Sequence, residues 1–151
     1  MSAIGHIVGV SRVPAYGGLS VTGNSTAETT TDATPRKIGA FDTADPNSRV
    51  TVSAAADTLT VVDSGDYLVI MNMTIGGSAN SDYLVELYID GASSGVLSEV
   101  THVAVASVIT TGFSRTVSLT AGEVLSLFHW SSDGGTSFTV REGSFSISKQ
   151  V

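Results

Sequence analysis

The chain has 151 residues, 14% of them charged, with a formal net charge of −7 and a mean hydropathy of +0.27. That length suits one domain with a sizeable core, the acidic balance argues against nucleic acid, where a basic stripe is expected, and no apolar run approaches the roughly 18 residues of a membrane helix. With no cysteine, a disulfide framework and thiolate metal sites are excluded.

The first segment, "MSAIGHIVGV", has no basic n-region, and Gly5, His6 and Gly9 break its apolar stretch. No signal peptide is expected, so the chain is expected to fold in the cytoplasm where it is made. Residues 1–34 are rich in Gly, Ser and Thr with weak periodicity. They read as an extended N-terminal arm, partly docked, with short strands around Leu19 and Val21. A second unit, residues 35–151, then carries strand after strand. "RKIGAF" (36–41) precedes the turn "DTADPN" (42–47). "RVTVSA" (49–54) and "TLTVV" (58–62) follow. In "GDYLVIMNMTI" (65–75), Tyr67, Val69, Met71, Met73 and Ile75 share one face, whereas the other starts with Leu68 and Ile70 before turning polar at Asn72 and Thr74. A strand of an antiparallel sheet ordinarily buries one face and wets the other, so this second apolar patch needs an explanation.

After the loop "GGSANSD" (76–82), Tyr83, Val85, Leu87 and Ile89 alternate with Leu84, Glu86 and Tyr88. Asp90-Gly91 supplies a tight turn at the head of "GASSG" (91–95). "VTHVAVASVITT" (100–111) breaks at Gly112, and "FSRTVSL" (113–119) leads to "TAG" (120–122). "EVLSLFHW" (123–130), the loop "SSDGG" and "SFTVREGSFSISKQV" close the chain. Val, Ile, Thr, Tyr and Phe fill these segments, Gly, Asp, Asn and Ser punctuate them, and no sustained 3.6-residue stripe appears. Many short strands at near-regular spacing predict an all-β antiparallel sandwich.

The order "SGDYLVIMNM", "YLVELYIDG", "ITTGFSRTVSLTAGEVLSLFHW" and "SFSISKQV" resembles the TNF-like jelly roll, which tumour necrosis factor shares with the globular heads of complement. The matching residues are Gly65 and Tyr67, then Val85, Leu87 and Gly91, then a corner of Leu119, Gly122, Glu123, Leu125 and Leu127, and finally Phe145. The apolar spacing after Glu123 is shifted by one from the commonest form. The resemblance spans roughly residues 36–151. "AYGGLSVTGNSTAETTTDATPRKIGAFD" is also similar in composition to β-rich virion proteins of tailed bacteriophages that carry such a jelly roll.

The TNF-like resemblance implies a homotrimer in which each subunit gives one sheet to the contact. Leu68 and Ile70 would then face neighbouring subunits. Desolvating each contributes roughly 1.5–3 kcal/mol, set against the ordering cost of association. The alternative is that both lie beneath the leading arm of their own chain.

Candidate chemistries are sparse. His6, His102 and His129 have no partner histidine at metal-ligand spacing, and His102 and His129 read as core or interface residues. "HWSSD" (His129, Ser131, Ser132, Asp133) lacks a nucleophile elbow. Asp42, Asp45 and Asn47 lack the order of a calcium loop. Glu86, mid-strand between Leu84 and Tyr88, reads as a rim residue paired with a cation or a backbone donor. Gly76-Gly77-Ser78 lacks the rest of a phosphate loop, and the Asn24 and Asn72 sequons carry no weight without a secretory signal. Trp130 reads chiefly as a cap over the core, with stacking on a sugar ring as its functional alternative. No catalytic residue, cofactor or metal is expected, and neither is enzyme activity.

The two resemblances together imply a structural virion protein: a trimeric decoration (cement) protein on the outer capsid surface of a tailed bacteriophage, partnered by the major capsid protein. A receptor- or glycan-binding head of a tail fibre, or another lectin-like module, is the alternative. Its recognition loops would lie near Ser78–Asp82, Ala92–Ser94 and Ser131–Thr136, with a host-surface glycan or receptor as partner. Neither reading involves nucleic acid or membrane.

Overall fold

The computed structural model describes residues 13–29, 34–78, 80–102, 108–132 and 136–150. Among them the regular structure is entirely β. In chain order the strands are β1 (Tyr16–Val21), β2 (Glu28–Thr29), β3 (Arg36–Lys37), β4 (Thr43–Ala44), β5 (Val50–Ser53), β6 (Thr58–Val61), β7 (Gly65–Gly77), β8 (Ser81–Ile89), β9 (Ala92–His102), β10 (Val108–Leu119), β11 (Val124–Ser131) and β12 (Ser137–Lys149). They form two antiparallel sheets. The front sheet runs β10-β7-β12-β1-β4, with β2 on β12. The back sheet runs β5-β6-β11-β8-β9, with β3 on β11.

β7 sets the frame. It is 13 residues long and is hydrogen-bonded to β10 on one side and β12 on the other. Its period-two pattern sends Tyr67, Val69, Met71, Met73 and Ile75 inward, all buried. Opposite them lie Tyr83, Val85 and Leu87 of β8 and Leu125 and Leu127 of β11. Leu19 and Val21 of β1 and Phe145 and Ile147 of β12 complete the front-sheet side. The two inward rows interdigitate as the core of a sandwich.

Turn chemistry fits the sequence locally. Asp90 and Gly91, at φ 50° and 77°, make the two-residue turn from β8 to β9, with Ile89 opposite Ala92. Positive φ at both central residues matches the right-handed twist of the strands that the turn joins. Gly77 has a different reason. A Cβ there would fall 2.5 Å from the Tyr83 hydroxyl. That hydroxyl accepts from the Ser78 N–H at 2.8 Å and donates to the Ser137 carbonyl at 2.5 Å, tying β8 to the start of β12.

Part of the expected N-terminal arm is docked as strand. β1 pairs with β12 from Tyr16↔Ser148 to Val21↔Gly143 and with β4 on its other side, so residues 16–29 are part of the sandwich. Residues 1–12 of the expected arm lie outside the described residues. Four smaller expectations also change. Only Arg36–Lys37 of "RKIGAF" is strand, and the turn "DTADPN" contains β4. The polar run from Ala92 forms β9, and β10 continues through Gly112. The single expected run 100–111 is therefore split between the two sheets.

Leu19 is fully buried. Leu19→Ala is expected to cost about 2–5 kcal/mol of stability, read as a lowered denaturation midpoint in urea. An unchanged midpoint would mean that β1 is a dispensable arm.

Candidate functional site

Alternation that fills the core also decides what the front sheet shows to the outside. Register places the outward residues in rows across four strands. The first row is Tyr16, Ser148, Leu68 and Thr116. The second is Gly18, Ser146, Ile70 and Ser114. The third is Ser20, Ser144, Asn72 and Gly112. Ile70 is 39% exposed and Tyr16 40%, and Leu68 is half-buried. Leu68 and Ile70 therefore lie on the outward face, and no described residue of their own chain buries Ile70. With Tyr16, Gly18, Asp45, Pro46, Ser146 and Ser148 they line a shallow depression of about 240 Å³. Around it the face is paved with serine, threonine and glycine.

A second hollow of similar size, lined by Asn72, Thr74, Thr110, Glu142 and Ser144, lies further along the same face. It is polar, and the one large apolar residue in its lining, Met73, is buried. A groove of about 470 Å³ runs between residues 22–28 and 39–42.

The outward face of the back sheet is built differently. Tyr88 and Phe128 stack at 4.0 Å and 21°. Trp130 is half-buried and opposite Leu84 in register. Glu86, at their centre, is only 4% exposed. Its carboxylate accepts from the Gly95 N–H at 2.9 Å and from the Ser93 hydroxyl. The acid marked as unusual in the sequence thus closes the β8–β9 hairpin through a backbone donor.

The histidines serve the interior. His129 is fully buried on the inward row of β11 with Leu125 and Leu127. Its ring stacks on Phe138 at 4.1 Å and 10°, and its Nε2 lies 3.1 Å from Glu28 Oε2. The other Glu28 oxygen accepts from the Gly39 N–H at 3.2 Å. One carboxylate thus joins β2, β11 and the segment after β3. His102 is also fully buried, edge-on to Tyr83 at 6.3 Å. His129 and Ser131 both point into the core, so "HWSSD" presents no reactive group through them. His6 and Asp133 lie outside the described residues. Among the described residues no cluster of three or more His, Asp or Glu could hold a metal.

Each acid of the turn engages one carboxylate oxygen locally. Asp42 accepts from the Thr43 hydroxyl at 2.8 Å and Asp45 from the Ser20 hydroxyl at 2.7 Å. Asn24 is likewise committed, donating to the Val140 carbonyl and accepting from the Thr26 N–H. Two other carboxyls are perturbed. The hydrogen-bonded Arg49 guanidinium holds Asp63 below the usual carboxylate range, and burial pushes Asp57 up against the opposing effect of the Phe41 N–H.

No family model matches the chain, and no curated protein matches it in sequence. Solved structures do match in shape. The Eiger TNF structure from S. frugiperda superposes with a TM-score of 0.70 at 14% identity, covering 93% of this chain and 94% of that one. The chain has the TNF-like jelly-roll fold. Murine APRIL, solved at pH 5.0, gives 0.63 at 10% identity, with 91% and 100% covered. The globular domain of the zebrafish complement 1qA protein gives 0.57 at 7% identity, with 88% and 94% covered. At these identities the likeness is one of fold. The TNF-like fold here includes β1, so it reaches further toward the N-terminus than the motifs from residue 36 onward.

Sequence reasoning missed the Glu28–His129 pair, whose members lie 101 residues apart. Glu28→Ala removes the acceptor beside a buried imidazole N–H. It is expected to cost about 1–3 kcal/mol, with Glu28→Gln recovering part of that, both measured by thermal denaturation at neutral pH.

Proposed function

We propose that this chain works as a homotrimeric binding head, three copies closing over the outward face of the front sheet. The observation that carries the reading is Ile70, a large aliphatic side chain 39% exposed mid-strand, beside Leu68 and Tyr16 in a depression floored by Gly18. Short serine, threonine and glycine side chains around it let another sheet approach closely and lose little rotamer freedom when they are covered. The TNF-like fold is compatible with such a head.

Within that class, the role we favour is the capsid decoration protein of a tailed bacteriophage, located on the outer capsid surface and bound to the major capsid protein. Its support is the compositional likeness of the N-terminal third to phage virion proteins. A protein that binds only the assembled shell stabilises that shell by mass action, and three identical contacts on one trimer raise the effective concentration at each. The second reading, a receptor- or glycan-binding head, draws on Trp130, which is half-buried at the end of β11 beside the loop from residue 131.

Sedimentation equilibrium at micromolar concentration is expected to report a trimer. Ile70→Asp is expected to leave the fold intact and give a monomer, because the side chain lies outside the core. A monomeric wild-type chain would overturn the trimeric head. Mixing the trimer with decoration-free capsids and with host cells separates the two roles. Retention on capsids alone supports decoration, and retention on cells alone supports the receptor head.

A further inference from the structure

Glu86 stands mid-strand on the outward face of the back sheet, yet it is only 4% exposed. Its two donors, the Gly95 N–H at 2.9 Å and the Ser93 hydroxyl, both reach Oε1. Oε2 receives no hydrogen bond among the described residues, and no cation among them pairs with the carboxylate. A carboxylate so far removed from water is ordinarily matched by a positive charge. Two donors on one oxygen hold the group in place and leave its charge uncompensated.

Register defines the surroundings. Phe128 of β11 is opposite Glu86 on one side and Leu97 of β9 on the other. Leu84 and Tyr88 stand two residues away along β8, on the same face. Trp130 lies diagonally, opposite Leu84. Leu97 is 45% exposed, and Leu84, Tyr88, Phe128 and Trp130 are each half-buried. Burial, with the Glu86 carboxylate adding to it, pushes the Tyr88 hydroxyl above its usual range, so ring and acid share one local field. The anion is framed by three aromatic rings and two leucines.

The described cations of the chain do not fill this frame. Lys37 is opposite Phe128 in the same outward row. It stands two strand spacings from Glu86, roughly 10 Å, and its Nζ donates to the Ala56 carbonyl instead. Arg36 has a partner of its own, Arg49 pairs with Asp63, and Lys149 donates to the Ser64 carbonyl. Arg115 and Arg141 belong to β10 and β12 of the front sheet.

The frame favours one class of occupant. A bare metal ion would meet a single free oxygen in a ring of apolar groups, where hard cations need several oxygen ligands. An organic cation on an apolar stem is matched in both parts. Its charge meets the carboxylate and the aromatic faces, and its stem lies along leucine. A guanidinium is planar and more weakly hydrated than an ammonium, so it stacks on rings and sheds its water more readily. The net charge of −7 draws a basic partner toward the chain.

We infer that the outward face of the back sheet docks a basic partner protein by seating one of its arginine side chains over Glu86, among Tyr88, Phe128 and Trp130. The contact does not involve the front sheet, so it stands whether or not copies assemble there.

The probe is a peptide with blocked termini, Gly-Gly-Arg-Gly-Gly, titrated into the full chain. Binding is followed by amide NMR shifts and by the fluorescence of Trp130, the one tryptophan present. The peptide is expected to shift the amides of residues 84–88 and 95–97 and to change the Trp130 emission saturably. Citrulline in place of arginine, which keeps the shape without the charge, is expected to weaken binding at least about tenfold, and lysine at least about threefold. Glu86→Gln keeps an oxygen for Gly95 and Ser93 and removes the charge. It is expected to weaken binding at least about tenfold, with its fold checked by thermal denaturation. Phe128→Leu is expected to act in the same direction and serves as the readout if Glu86→Gln fails to fold. Glu142→Gln, which removes an equal charge from the front sheet, is expected to change nothing. A wild-type chain with no saturable response overturns the inference. So does a response that Glu86→Gln and Phe128→Leu leave intact, or one that Glu142→Gln weakens as much, which marks general attraction to an acidic chain. A lysine peptide that binds as tightly overturns the choice of arginine.

Discussion

The register of β7 between β10 and β12 is the constraint on which the rest depends. Gly65 to Gly76 pair with β10 and Tyr67 to Gly77 with β12, and side chains alternate with a period of two. A slip of one residue would expel Tyr67, Val69, Met71, Met73 and Ile75 and draw in Asn72 and Thr74. The buried row is therefore strongly fixed, and so is the opposite row. Leu68 and Ile70 face outward as the other half of the pattern that fills the core.

The two outward faces satisfy their polar groups differently. On the back sheet, Glu86 is enclosed by Ser93 and Gly95 of the adjoining strand, and Tyr88 and Phe128 cover each other. There the donors come from the neighbouring strand, and both reach one oxygen. On the front sheet, Asp45 keeps one oxygen open over Gly18, beside aliphatic and aromatic surface. A surface laid on the front face would strip water from that oxygen and would have to bring a donor in exchange. The proposed assembly through the front sheet leaves the back sheet and the sandwich ends for other contacts.

Much of the architecture was legible as local chemistry. The inward and outward rows of β7 and β8 follow from alternation alone, and Asp90-Gly91 announces its turn. The membership of β1 was not legible. Gly17 and Gly18 interrupt its apolar pattern, so the stretch read as an arm only partly docked, yet they are there for packing. A Cβ on Gly17 would collide with Val50 at 2.8 Å, so the glycine lets β5 close over β1. β9 was hidden for a related reason. Its serines look like turn residues, but Ser94 donates back to the Leu87 carbonyl and the strand continues beyond it. Of the candidate site, Leu68 and Ile70 could be read from the strand pattern. The placement of Asp45 over Gly18 could not, since it depends on a pairing between distant segments.

The pairing of β1 with β12 has a consequence for how the molecule is made. β1 has β4 on one side, but on the other its neighbour is β12, with Tyr16 opposite Ser148. During synthesis β1 must wait, unpaired on its β12 side, until β12 has emerged. Non-local closure of this kind is intrinsically slow, and waiting strand edges are sticky. The glycines and serines that line both strands keep that long-lived edge weakly apolar while it waits.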